Sequence, residues 1–126
     1  MMVSSPKREL IISAVMVSFT PKNTWVVLLS SGYNNCPRAA TTAQQNCVKN
    51  GTGTGQGYLY VLNAGTGALI AAIPTGNGSI TAPSGLSPFM AYASTSNVST
   101  QVYAGDLTGK LWRFTIGSAG YSAQLL

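Results

Sequence analysis

Apolar residues in this chain come in short runs set apart by turn-forming residues, a spacing that predicts strands rather than helices. The first run, Ile11 to Phe19, closes at Thr20-Pro21-Lys22-Asn23, and the second is Trp25 to Leu29. A polar stretch follows, from about Gly32 to Gln56, and then Tyr58 to Leu62 and Ala68 to Ile73. Between those last two lies Asn63-Ala64-Gly65-Thr66-Gly67, a hairpin turn whose glycines supply the positive φ that tight turns demand. Pro74 ends this unit. After Pro83-Ser84-Gly85 come Leu86 to Ala93, Val102 to Ala104 and Leu111 to Ile116. Gly117 to Leu126 is mostly small and polar and predicts no clear strand.

These runs repeat. Gly57 to Leu62 overlays Gly109 to Phe114 at an offset of 52, the difference between 109 and 57. Val27 to Ser31 overlays Val102 to Asp106 at an offset of 75, from 102 and 27. The unequal offsets mean that the first unit carries an insertion, about 32–56, where the second joins its strands directly through Asp106-Leu107-Thr108-Gly109. Units of up to four strands, with inner strands apolar on both faces as in Val26-Val27-Leu28-Leu29, read as blades. The expected fold class is therefore all-β: a partial β-propeller of about two consecutive antiparallel blades. Residues 1–10 form an N-terminal tail, 11–74 the first blade with its long inserted loop, and 75–126 a second, incomplete blade. Closed propellers use 4–8 blades. Two make no ring, so the chain is expected to be an excised or truncated piece, or to need partners over its end faces.

Composition supports the strand reading. The chain has 126 residues, 45% apolar and only 7% charged, against about 25% charged in a common soluble domain. Gly, Ser, Thr and Asn supply the polar remainder, which suits turns and exposed sheet faces. The net charge of +5 comes from Lys7, Arg8, Lys22, Arg38, Lys49, Lys110 and Arg113 against Glu9 and Asp106. These cations are scattered, with no basic stripe and no interleaved aromatics, so no nucleic-acid footprint is present.

Cys36 and Cys47 fall in the inserted stretch. Free thiols, half of a metal site and a disulfide are the readings available. With no histidine in the chain and no acid nearby a metal site would lack ligands. A Cys36–Cys47 disulfide is the expectation; closing so short a loop contributes roughly 3 kcal/mol and implies an oxidising compartment. At the N-terminus, Lys7 and Arg8 before Leu10 to Phe19 resemble the start of a signal peptide. Glu9 interrupts that pattern and no A-x-A site follows, so a strand is the preferred reading and a signal peptide the alternative. The run is too short for a transmembrane helix, which takes about 20 apolar residues.

Val102-Tyr103-Ala104-Gly105-Asp106-Leu107-Thr108-Gly109-Lys110-Leu111-Trp112-Arg113-Phe114 resembles the VYAGDLxGNLWRF signature of the PilY/PilC family of type IV pilus-associated proteins. Trp25-Val26-Val27 through Ser31-Gly32-Tyr33-Asn34-Asn35 is similar to its WVVVFGNGYN segment, with Ser30 in place of a glycine. Tyr58 to Ala64 with Thr66-Gly67 resembles LYVLDAxTG, with Asn63 replacing the acid, and Pro83-Ser84-Gly85-Leu86-Ser87 also matches. The likeness covers about 11–116. It implies a C-terminal β-propeller, a role in pilus assembly, retraction control and adhesion, and a periplasmic, outer-membrane-associated or extracellular location. Other pilus-assembly proteins or minor pilins are the implied partners, together with remaining blades or self-association through exposed blade faces. Family members also carry a larger N-terminal region, often with a von Willebrand factor A-like domain, that these residues do not match.

The resemblance further implies calcium, because members often place D-x-N/D-x-D-G-x-x-D just before VYAGDL. The aligned acidic positions here are Tyr92, Ser94, Ser96 and Thr100. Calcium takes several oxygen ligands, carboxylates among them, so the family site is expected to be lost and no cofactor is expected. Asp106 belongs to the signature hairpin and reads as a turn residue.

The inventory argues against catalysis: a Ser–Lys arrangement stays open, but no motif supports it. Without histidine, and with two carboxylates far apart in sequence, neither a serine triad nor a carboxylate pair forms. Gly105 to Lys110 departs from a P-loop in glycine spacing and in having Leu111 where Ser or Thr is required. Gly51 to Gly57 lacks G-x-G-x-x-G spacing and reads as a linker. Asn50-Gly51-Thr52, Asn77-Gly78-Ser79 and Asn97-Val98-Ser99 fit the glycosylation pattern, a triplet common by chance. The expected function is a non-catalytic interaction module. The alternatives are a fragment of a quinoprotein-like propeller dehydrogenase, from the similarity of Leu59 to Ile70 to its repeats, and a non-functional truncated remnant.

Overall fold

The computed structural model describes residues 12–18, 23–32, 54–79 and 81–126. The tail, Cys36, Cys47 and most of the inserted loop lie outside them. Among the described residues the structure is all strand and turn, with eight strands in order: β1 Ile12–Ser18, β2 Asn23–Ser30, β3 Tyr58–Asn63, β4 Leu69–Pro74, β5 Phe89–Ala93, β6 Val98–Gly105, β7 Leu111–Thr115 and β8 Ser122–Leu125.

They form two four-stranded antiparallel meanders. In the first, β1, β2, β3 and β4 pair in chain order, with Ala14 opposite Val27, Leu28 opposite Val61, and Leu59 opposite Ile73. In the second, β5, β6, β7 and β8 do the same, with Ala91 opposite Val102, Ala104 opposite Trp112, and Phe114 opposite Ala123. A two-residue parallel contact, Met16 with Val98 and Val17 with Ser99, joins β1 to β6. The expected architecture of two consecutive small sheets is borne out, and β3 and β7 hold equivalent third places in them.

Alternation decides what is buried. A strand presents every second residue to one face, and the inward set comprises Val26, Leu28, Leu59, Val61 and Ile73 from the first sheet. Val102, Ala104, Trp112 and Phe114 come from the second, and all join one cluster with Val17, Leu86 and Ile116. Each fully buried aliphatic or aromatic side chain contributes roughly 1.5–3 kcal/mol, so the two sheets stabilise each other through one shared core. The opposite face of the first sheet is apolar too but only partly covered: Val27, Leu29, Tyr58, Tyr60 and Leu62 are half-buried, with Tyr58 and Tyr60 stacked at 5.7 Å.

Three features differ from the sequence pattern. β8 is a fourth strand in the second sheet, where Gly117 to Leu126 predicted none. It lies at the edge of its sheet and puts only Ala123 and Leu125 opposite core residues, so backbone pairing carries it and hydrophobic periodicity is faint. β5 begins at Phe89 rather than Leu86, since Pro88 lacks the N–H a ladder needs. Leu86 instead makes an isolated bridge to Gly32. β6 is longer than Val102 to Ala104, extending back through Ser99, Thr100 and Gln101.

Ser30 is 1% exposed on the inward face of β2, and its hydroxyl has no hydrogen-bond partner among the described residues. A buried hydroxyl without a partner costs about 1–3 kcal/mol. Ser30→Ala removes it while leaving the backbone unchanged. The variant is expected to melt about 3 °C higher, roughly 1 kcal/mol more stable. An unchanged or lower melting temperature in circular dichroism would show that the hydroxyl is satisfied.

Candidate functional site

The signature hairpin, a strap of chain from Thr75 to Ser87, and the mouth of the inserted loop meet at one junction. The hairpin between β6 and β7 is built by Asp106. Its backbone N–H donates to the Lys110 carbonyl at 2.9 Å and its carbonyl accepts from the Gly109 N–H at 3.2 Å. Gly109 has φ +83, which a side chain would oppose. The carboxylate then folds back over the turn. Oδ1 accepts from the Thr108 N–H at 2.8 Å, the Thr108 hydroxyl at 2.7 Å and the Lys110 N–H at 3.1 Å. Oδ2 accepts from the indole Nε1 of Trp112 at 2.9 Å and from Asn77 Nδ2 at 2.9 Å.

Asn77 extends this network into the strap. Its amide nitrogen also donates to Thr108 Oγ1 at 3.0 Å, and its Oδ1 accepts from Lys110 Nζ at 2.7 Å. The amide can face only one way here, since an NH₂ must meet the carboxylate and an oxygen must meet the ammonium. Burial tends to raise the Asp106 carboxyl. The hydrogen bonds from Trp112, Thr108, the Lys110 backbone and Asn77 outweigh it and hold the group down at about 2.

Pro83 to Ser87 ties both sheets to the strap. Ser84 N–H donates to the Gly55 carbonyl at 2.9 Å, its hydroxyl to the Asn77 carbonyl at 2.7 Å, and its own carbonyl accepts from Leu107 N–H at 2.9 Å. Leu86 N–H donates to the Gly32 carbonyl at 2.7 Å, while Ser87 N–H donates to the Gly105 carbonyl at 2.8 Å and Ser87 Oγ accepts from Gly105 N–H at 3.0 Å. The inserted loop leaves and returns here: Ser31 N–H donates to the Tyr58 carbonyl at 2.9 Å, and Ser31 Oγ accepts from Tyr58 N–H at 3.0 Å.

The signature residues thus divide by position. Val102, Ala104, Trp112 and Phe114 face the core; Tyr103, Gly105 and Arg113 lie on the other face half-buried; Leu107 and Leu111 are exposed. Asn77 and Ser84 were invisible as site residues, the first read only as part of a glycosylation triplet. The sequence signal for them was weak because their partners lie 29 and 23 residues away, at Asp106 and Leu107. Tyr92, Ser94, Ser96 and Thr100 sit together around the β5–β6 turn, apart from this junction. Among the described residues no group of three or more His, Cys, Asp or Glu could hold a metal ion.

Comparison with known proteins places this geometry. The sequence model of the PilY1 beta-propeller domain matches residues 15–124. The chain belongs to the PilY1 β-propeller family. It is 38% identical over 116 residues to the type IV pilus biogenesis factor PilY1 homolog of Xylella fastidiosa, covering 91% of this chain and 8% of that protein. It also resembles the crystal structure of the Pseudomonas aeruginosa PilY1 C-terminal domain, with a TM-score of 0.53 and 24% identity over 82% of this chain and 18% of that one. The last likeness concerns the fold. The chain spans about a twelfth of the curated relative's length.

Proposed function

We propose that these residues act as a non-catalytic interaction module, a pair of blades within a type IV pilus biogenesis and adhesion propeller. The observation that carries this is the saturation of Asp106. It is the one carboxylate side chain among the described residues, and five donors occupy its oxygens. A carboxylate so engaged, its pKa held down at about 2 by those donors, is a weak base and holds structure. The rigid junction leaves the strap and the inserted loop as the surfaces for recognition, because loops on a firm scaffold commonly carry binding.

The partners that fit are pilus-assembly proteins, and the location that fits is the cell envelope or the pilus. No helix among the described residues is long and apolar enough to cross a membrane. Val27, Leu29, Tyr58, Tyr60 and Leu62, half-buried on one sheet, and Met90, Tyr92, Leu111 and Leu126, exposed on the other, suit further blades. The quinoprotein alternative gains no support from the comparisons. The Asn63 turn it rests on is closed by its own side chain, which accepts from Gly65 N–H at 2.8 Å and Thr66 N–H at 3.0 Å.

The test is binding of the immobilised chain to purified minor pilins and pilus-assembly proteins, with an absorbance spectrum and a quinone-linked dehydrogenase assay alongside. Saturable binding to a pilus component, without a cofactor band, is the expected result. Dehydrogenase turnover would overturn the proposal.

A further inference from the structure

The β5–β6 turn carries an inference independent of the interaction role. Four positions that hold acids in the calcium loop implied by the family resemblance are Tyr92, Ser94, Ser96 and Thr100 here, and all four are exposed. They surround a register shift in the β5–β6 ladder after Tyr92. Asn97 stands at the loop's glycine position and has φ 60, a value no other non-glycine described residue shares on the positive side. Asn is among the few side chains that adopt this conformation readily. A positive φ therefore stands at the family loop's glycine position while the carboxylates are gone.

Backbone hydrogen bonds close the turn, and a hydroxyl reinforces them. Ser94 N–H donates to the Val98 carbonyl at 2.9 Å, and the Ser94 carbonyl accepts from Asn97 N–H at 2.9 Å. Ser94 Oγ accepts from Ser96 N–H at 3.3 Å and Val98 N–H at 3.4 Å, and lies 2.9 Å from Ser96 Oγ. Calcium takes six to eight oxygens at about 2.3–2.6 Å, and carboxylates supply the compensating charge. Here the oxygens are neutral, and that of Ser94 is turned toward backbone donors. These residues do not fit the ion.

We propose that this turn is a calcium-independent form of the family loop, in which backbone hydrogen bonds reinforced by the Ser94 hydroxyl do the closing that a cation would do, on a backbone still shaped to receive one. The test compares the full chain, Ser94→Ala, and a combined Tyr92→Asp, Ser94→Asp, Ser96→Asp, Thr100→Asp variant, each melted in calcium chloride and in chelator and titrated with calcium by calorimetry. The unmodified chain is expected to melt at one temperature in both conditions and to show no saturable binding. Ser94→Ala is expected to melt about 2–4 °C lower, equally in both. The combined variant is expected to bind calcium at ~0.1–1 mM and to melt about 4 °C or more higher at tenfold that concentration. Micromolar binding by the unmodified chain overturns the proposal outright. Unaltered stability in Ser94→Ala overturns the role of the hydroxyl, and a folded combined variant blind to calcium overturns the retained frame. If the combined variant does not fold, the first two measurements still decide.

Discussion

Replacing Asp106 by alanine is expected to lower the melting temperature by roughly 10 °C, about 3 kcal/mol. The loss is large because five donors are left behind, and one of them, Trp112 Nε1, belongs to a side chain that cannot easily turn to water. Trp112 is 7% exposed and anchored in the core, so its N–H stays buried wherever Asp106 goes. Asp106→Asn is a sharper probe, since its shape is nearly the same. An amide offers one oxygen, so either Trp112 and Asn77 or the Thr108 and Lys110 donors would face an NH₂. It is expected to lose most of what alanine loses.

The same carboxylate makes the stability depend on acid. Its folded value lies at about 2, below the ordinary 3.8. Its contribution is thus fully present above about pH 4 and is lost as the pH falls toward 2. The informative quantity is the difference between the unmodified chain and Asp106→Ala in urea denaturation at several pH values. That difference should shrink between pH 4 and pH 2. Parallel acid profiles for the two proteins would show that Asp106 ionisation does not hold the hairpin.

The second large effect is expected at Gly57. A Cβ there would lie 2.3 Å from the Gly85 carbonyl oxygen and 2.9 Å from its carbon, both backbone atoms that cannot swing aside. Gly57 also sits where β3 meets the strap, with its carbonyl accepting from Thr75 N–H at 2.9 Å. Gly57→Ala must therefore part the strap from the first sheet, and it is expected to cost more than about 3 kcal/mol or to abolish a cooperative melt. Gly78 is similar, with φ +101 and a Cβ that would meet Gly55 O at 2.5 Å. The contrast is Gly67, at φ +74 with open space around it, where alanine is expected to cost only about 1 kcal/mol. Equal losses at Gly57 and Gly67 would mean that backbone conformation alone, rather than close approach, accounts for both.

The repeat shows how far pattern reading carries and where it fails. Matching by residue type paired the right strands, β2 with β6 and β3 with β7. It also set Leu59 against Leu111, yet Leu59 is buried and Leu111 is 49% exposed. Leu59 corresponds in burial to Trp112, and Leu28 to Val102. The overlay runs one residue out along each strand, and a one-residue slip exchanges the two faces of a sheet. When both faces are apolar, composition cannot reveal the slip.

Local chemistry alone determined the strands with strong apolar runs, the Asn63 and Asp106 turns, and membership of a propeller family, because each depends on residues a few positions apart. Burial, edge placement and the junction were left to the tertiary structure. Which face of Val26 to Leu29 is covered depends on a second sheet packing against it. β8 exists because β7 offers a free ladder, and Asn77 matters because a strap returns it to a carboxylate 29 residues later in the chain. These are contacts between segments distant in sequence, and neither periodicity nor turn propensity reports on them.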